Sequence, residues 1–237
     1  MFAKKYFLII ILLTISVSTF AQSGGLNFTL AFPDGEFKDQ LKRTGLGLSV
    51  EGLFLGPNEY SPFGIGANFS FLNYGNESRR APWSYTIPDV TVDVDRSYNI
   101  MQFHLLFRIA PTMNVVKPYL DLLFGGSYLF TETKVISTNK GEEVTSSTNF
   151  DDWAWSYGFG GGIMFKVYEN PNENLGKVYV DLKVRMLKGS TAEYLKEGSV
   201  VVNPANGSVS YYTSRSKTDL ITANIGVVAY FSSFGNF

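Results

Sequence analysis

Lys177-Val-Tyr-Val-Asp-Leu-Lys-Val-Arg-Met186 is the stretch on which the fold turns. In an extended chain Val178, Val180, Leu182, Val184 and Met186 fall on one face, and Lys177, Tyr179, Asp181, Lys183 and Arg185 on the other. Strict period two marks a strand with one apolar and one polar side. The last apolar stretch repeats it, with Ile221, Ala223, Ile225, Val227, Ala229 and Phe231 opposing Thr222, Asn224, Gly226 and Tyr230. Outward from these two, the same sorting recurs in 26–32, 46–54, 63–71, 101–109, 120–130 and 153–167.

The pattern predicts eight strands, an even number. Their connections alternate in length. Gly56–Pro62, Pro111–Lys117 and Glu169–Gly176 are short, whereas Pro33–Arg43, Gly75–Arg96, Ile136–Asp152 and Lys188–Lys217 are long and polar. Short turns at one end and long loops at the other are the asymmetry of an outer-membrane barrel. Alternation alone also fits a lipocalin-like barrel, apolar inside and wet outside. Three observations choose the membrane reading. On the apolar phase, charge occurs only near strand ends, at Glu132, Lys188 and Asp219; at a bilayer midplane an Arg or Lys costs about 2–4 kcal/mol. The polar phase collects glycines, among them Gly47, Gly66, Gly125, Gly158, Gly160 and Gly162, which make room for long side chains in a narrow interior. Aromatic residues gather at both ends of the apolar phase and predict a membrane girdle: Tyr128, Phe130, Trp153, Trp155 and Tyr157 toward the long loops, Phe54, Phe63 and Phe231 toward the short turns. The expected fold class is therefore an all-β, eight-stranded antiparallel up-and-down transmembrane barrel.

Composition narrows function by exclusion. The 237 residues are 45% hydrophobic and 17% charged, so the chain is not intrinsically disordered. With 20 basic and 21 acidic residues there is no field to draw in nucleic acid. Zero Cys removes disulfides, thiolate metal sites and a Cys nucleophile, and one His leaves little for a zinc site. No cofactor is expected. Lys4 and Lys5, the apolar run Tyr6–Val17 and the small residues before Gln22 read as a secretory signal peptide over residues 1–21. The barrel domain is then 22–237.

A signal ending Thr19-Phe20-Ala21-Gln22, eight alternating strands and a last strand ending Ala229-Tyr230-Phe231 resemble the small bacterial outer-membrane β-barrel proteins, the porin-family or OmpA/OmpX-like barrels. The Phe-Ala-Gln ending resembles the Bacteroidota version. The resemblance rests on architecture across the mature chain rather than on one motif. It implies residence among outer-membrane lipid and lipopolysaccharide in a Gram-negative cell. It also implies handling by the barrel-insertion machinery through a terminal aromatic residue, either Phe231 or Phe237. No peptidoglycan-binding domain follows, so no anchoring role is implied. A monomer is expected.

The lumen should carry a polar network of Glu51, His104, Arg108, Asp121, Lys166, Asp181, Lys183 and Arg185, three acids against four bases beside the histidine. Buried charges require partners, so the first expectation is a set of salt bridges plugging the barrel. A narrow passive channel or small-solute transporter lined by the same residues is the alternative. An enzyme is the rival of a different class, because some eight-stranded barrels resemble lipid A acylases or deacylases. Those need a Ser activated by His near the outer rim. Here the single histidine, His104, faces the lumen at mid-strand beside Gln102 and Leu106, and no His-x-Ser spacing is present. No catalytic residue is assigned.

The long loops remain as recognition elements for an extracellular protein or other surface ligand. In Lys188–Lys217, Ser199-Val-Val-Val202 and Ser208-Val-Ser-Tyr-Tyr212 flank an Asn-Gly turn, which predicts a projecting hairpin with a free edge. Gly75–Arg96 carries Arg79, Arg80, Trp83 and Tyr85, then Asp89, Asp93 and Asp95. The basic pair suits lipopolysaccharide phosphates. The acids lack the spacing of a divalent-ion loop.

Overall fold

The computed structural model describes residues 22–231 apart from 59, 85–86, 112–114, 138–142, 171–174 and 204–207. The signal segment 1–21 and Phe237 lie outside the described residues. Eight strands close into an antiparallel up-and-down barrel: β1 (Ser23–Pro33), β2 (Gly45–Leu55), β3 (Phe63–Ser84), β4 (Ile87–Ile109), β5 (Val116–Ser137), β6 (Glu143–Glu169), β7 (Leu175–Gly189) and β12 (Leu220–Phe231). Each pairs with its chain neighbour among these eight, and β12 closes the ring on β1 with Asn27 opposite Gly226. A short helix, α1 (Gly35–Gln40), follows β1. Between β7 and β12 lie two ribbons, β8 (Thr191–Tyr194) with β11 (Ser214–Lys217), and β9 (Val200–Val202) with β10 (Val209–Tyr211).

The apolar phase of every barrel strand points outward. Leu26 is 57% exposed, Phe103 51%, Leu120 63% and Trp155 58%. The belt is nine residues tall on β4, from Met101 to Ile109, the length a tilted strand needs to cross hydrocarbon. Toward the long-loop end Phe124 stacks on Trp155 at 5.8 Å, Tyr128 on Phe130 at 5.5 Å, and Trp153 meets Trp155 edge-on at 6.5 Å. Toward the turn end Phe54 and Phe63 are exposed and Phe231 half-buried. The Trp153 ring lies over Gly126, an outward position where a Cβ would collide with it.

Two of the expected long loops are strands. β3 and β4 stay paired from Phe63–Ile109 to Ser84–Ile87, and β5 and β6 from Val116–Phe165 to Ile136–Glu143. These four strands rise past the belt as a wall over half the barrel. The remaining strands stop near its rim, where β2–β3 pairing ends at Leu46–Asn73 and β6–β7 pairing at Ser156–Gly189. Most of the wall escapes hydrophobic periodicity because polar residues occupy both of its faces; only Val90-Thr-Val-Asp-Val-Asp95 in β4 alternates, with Val92 buried. Its outer face pairs Arg80 with Asp93 at 3.3 Å and Lys134 with Glu132 and Glu143 at 3.8 and 3.9 Å.

Candidate functional site: a filled lumen beneath a capped mouth

Inward-facing residues fill the barrel in distinct zones. At the turn end Tyr119, Met164, Tyr179 and Val228 pack with Tyr230, and the Lys117 ammonium lies over the rings of Tyr179 and Tyr230 at 5.3 and 4.9 Å.

Next comes an ionic cluster. Arg108 grips Asp121 with two hydrogen bonds, Nε to Oδ1 at 2.8 Å and Nη2 to Oδ2 at 3.0 Å. Its Nη2 also donates to Glu51 at 3.1 Å. Arg185 Nη2 donates to Glu51 at 2.9 Å and to Asp121 at 2.8 Å. Lys183 donates to Glu51 at 2.6 Å and pairs with Asp181 at 3.0 Å. The Tyr119 hydroxyl donates to both Asp181 oxygens, at 2.7 and 2.9 Å, and its ring lies 3.9 Å beneath the Arg108 guanidinium. Every one of these charged side chains is 0–3% exposed. Three carboxylates meet three cations, so the cluster is neutral as a unit, and both oxygens of each acid are engaged. Neutrality and the engagement of every acid oxygen let charge persist out of water, with Arg108 Nη1 and Arg185 Nε left buried without a hydrogen-bond partner.

Lys166, expected here as the fourth base, stands apart. It is inward in phase but near the turns, where its ammonium bonds Glu169 at 2.5 Å. His104 also lies outside the cluster. Its Nε2 is 2.9 Å from Ser156 Oγ, both side chains are buried, and Nδ1 has no partner. A nucleophilic serine needs an oriented, accessible histidine; this pair lacks a carboxylate at Nδ1 and is enclosed. Neutral polar pairs share the interior, Thr29 with Asn224 at 2.7 Å and Gln102 with Ser127 at 3.0 Å. Glycines admit the larger groups: a Cβ at Gly162 would lie 2.5 Å from the Tyr119 hydroxyl, and one at Gly160 2.5 Å from Arg185 Cγ.

The long-loop end is sealed by apolar side chains that period-two reading did not find. Leu72, Ile100, Leu129 and Leu187 point inward and meet Phe37 from α1, Tyr194 from β8, Leu195 and Leu220. Phe37 and Leu195 are fully buried, and the Phe37 and Tyr194 rings meet edge-on at 5.1 Å. Asp34 precedes α1 without capping it by its side chain; its carboxylate instead joins Asp219 on Lys188, at 3.3 and 2.7 Å. The sequence signals for this cap were Phe37 and Leu41 and the pair Tyr194-Leu195, apolar residues in otherwise polar segments.

The connection carrying the cap is tied to both margins of the wall. On β6, Ser190 N donates to Trp155 O at 2.8 Å and Glu193 N to Asp152 at 2.7 Å. On β3, Tyr74 OH donates to Leu195 O at 2.9 Å, Asn76 N to Glu197 at 3.0 Å, and Gly198 N to Glu77. Gly198 sits at φ 79°, a left-handed turn that favours glycine. Burial pushes the Tyr74 phenol above its usual range, so it stays a donor; burial and the hydrogen bond to Glu77 do the same for Tyr98.

No protein-family model matches this chain, and no curated protein matches its sequence. Solved structures do resemble it. Neisserial surface protein A is 12% identical with a TM-score of 0.40, over 88% of this chain and 95% of that one. Ail, the attachment invasion locus protein of Yersinia pestis, solved with the heparin analogue sucrose octasulfate, is 17% identical with a TM-score of 0.32, over 88% and 96%.

Proposed function

We propose that this chain is a non-enzymatic barrel of a Gram-negative outer membrane, closed to solutes, that presents its wall and capped mouth outside the cell for surface recognition or envelope integrity. The exposed apolar belt carries the reading. Each Leu or Phe left in water forfeits roughly 1.5–3 kcal/mol, and such residues ring the barrel, so lipid is the solvent that suits them. Closure satisfies the strand edges that hydrocarbon would penalise. The neutral ionic cluster, in which both oxygens of every acid are engaged, and the apolar seal speak against the narrow channel. The buried His104–Ser156 pair speaks against hydrolysis.

Planar-bilayer recording tests the reading. The purified chain is expected to insert without stable conductance steps. Reproducible steps would overturn the closed barrel, and recovery of the native protein from the soluble periplasm would overturn the membrane assignment.

A further inference from the structure

At the turn end, positive charge gathers on one arc of the barrel mouth. Lys117 on β5, Lys166 on β6 and Lys177 on β7 stand on adjacent strands, and Tyr179 and Tyr230 continue the arc onto β12. The three ammonium groups share one carboxylate among the described residues: Glu169 takes Lys166 on one oxygen and Lys177 on the other, at 2.5 and 3.2 Å. Lys117 has no acid within ion-pair distance among the described residues. It rests instead over the rings of Tyr179 and Tyr230, at 5.3 and 4.9 Å, within repulsive range of Lys177 and Lys166. Ring faces offset only part of the cost of such a cation. The carboxylates deeper in the lumen are already balanced by Arg108, Lys183 and Arg185. The described mouth is therefore left with two positive charges in excess. Beneath it Met164, Val228 and the tyrosine rings make a closed floor. Val116 and Phe165, exposed on the outer face, stand between it and lipid. Lys177 and Glu169 are 41% and 36% exposed, so the arc is open along the barrel axis.

We propose that this mouth binds a soluble phosphate monoester on the periplasmic side of the membrane. Such a group carries roughly 1.5–2 negative charges at neutral pH and three strong acceptor oxygens, which match the excess charge and the three ammonium groups. Lysine suits phosphate as a point charge with three rotatable donors. Lys117 is the principal contact, because no carboxylate competes for it; Lys166 and Lys177 contribute to the extent that Glu169 releases them. A lipid headgroup fits less well, since it lies beyond Val116 and Phe165. The floor stops the ligand at the mouth, so binding does not imply passage. The periplasmic side rests on the orientation proposed above, and the two are separable by experiment.

The probe is phenyl phosphate, titrated by calorimetry at low salt against the full chain in nanodiscs of zwitterionic lipid. Saturable binding is expected. Lys117→Gln breaks no ion pair among the described residues, so the barrel should stay folded while affinity falls about tenfold or more. Glu169→Gln frees Lys166 and Lys177 and should tighten binding several-fold. Lys38→Gln, an exposed lysine on α1 at the opposite end, should leave it unchanged. No saturable binding, equal binding by Lys117→Gln, or weaker binding by Glu169→Gln would overturn the site. Loss of binding when phosphatidylglycerol is added to the nanodisc would give the mouth to a lipid headgroup and overturn the soluble ligand. Orientation is read separately. The chain has no Cys, and Tyr60 is 84% exposed in the turn after β2, so Tyr60→Cys supplies a single thiol there. A membrane-impermeant maleimide should label it only after the outer membrane is permeabilised. Labelling of intact cells would overturn the orientation and the periplasmic side, whatever phenyl phosphate does. Correct labelling without binding sinks the site alone.

Discussion

Glu51 is the carboxylate on which the lumen's charge balance depends, because Arg108, Lys183 and Arg185 all donate to it. Glu51→Ala leaves three buried cations competing for Asp121 and Asp181. Removing one partner of a buried ion pair costs about 3–5 kcal/mol, and that loss is expected in urea unfolding of the lipid-inserted barrel. Glu51→Gln keeps the shape and an acceptor and should fall between. Gly162→Ala tests the space beside the cluster: its Cβ would displace the Tyr119 hydroxyl from Asp181, an overpacking change of about 1–3 kcal/mol. At the turn end, hydrogen bonds from Lys166 and then Lys177 hold the exposed Glu169 carboxyl below its usual range. A lowered folded value means this contribution is present above the ordinary carboxylate range and lost as pH falls through the lowered value. A chemical-shift titration of Glu169 should show it, and Lys166→Ala should move the midpoint back up. Residue-level reading of the sequence assigned Glu51, Arg108, Asp121, Lys166, Asp181, Lys183 and Arg185 to the inward phase but did not give their depth. Period two says which face a side chain takes; it does not say that Lys166 lies near the turns while Lys183 lies in the cluster.

Among the elements, the strands within the belt were legible because each keeps an apolar outer face against a polar inner one. The wall was not read as strands: Val90, Val92 and Val94 do alternate with Thr91, Asp93 and Asp95 in β4, but elsewhere in β3–β6 polar residues on both faces interrupt the period. The cap was hidden for a related reason: its buried residues are few, and they sit in α1 and the β8 segment among charges that face water. The β9–β10 hairpin was legible from its flanking alternation, and its pairing of Val200–Val202 with Val209–Tyr211 is seen. What holds the cap is packing more than its exposed polar ties. Tyr194→Ala removes a ring that meets Phe37 and a hydroxyl bonded to Ser216 at 2.7 Å. An aromatic truncation of this kind costs about 3–5 kcal/mol. The loss should be local: amides of 190–217 are expected to exchange faster, and a protease to cut there, while β1–β7 and β12 keep their protection. Arg43→Ala, which breaks an ion pair to Glu197 whose arginine is largely exposed, should do neither to a comparable degree.

At the scale of the whole molecule, three obstructions lie in series along one axis: the aromatic floor, the ionic cluster and the apolar cap. An eight-stranded barrel is only wide enough to be filled by side chains, so in the closed barrel proposed above each would by itself stop a hydrated solute. The cap is then not the gate of a pore, and its removal gives a discriminating test. Replacing Ser190–Lys217 by a short Gly-Ser turn deletes Tyr194 and Leu195 and opens the seal over Leu72 and Leu187. It leaves every partner of Glu51 and Asp121 in place, because those residues come from β4 and β7. The shortened chain should insert, remain folded and still show no stable steps in a planar bilayer. Steps that appear on losing the cap alone would mean that the ion pairs rearrange to pass solute once water reaches them from above, and the barrel would have to be understood as a channel with a lid.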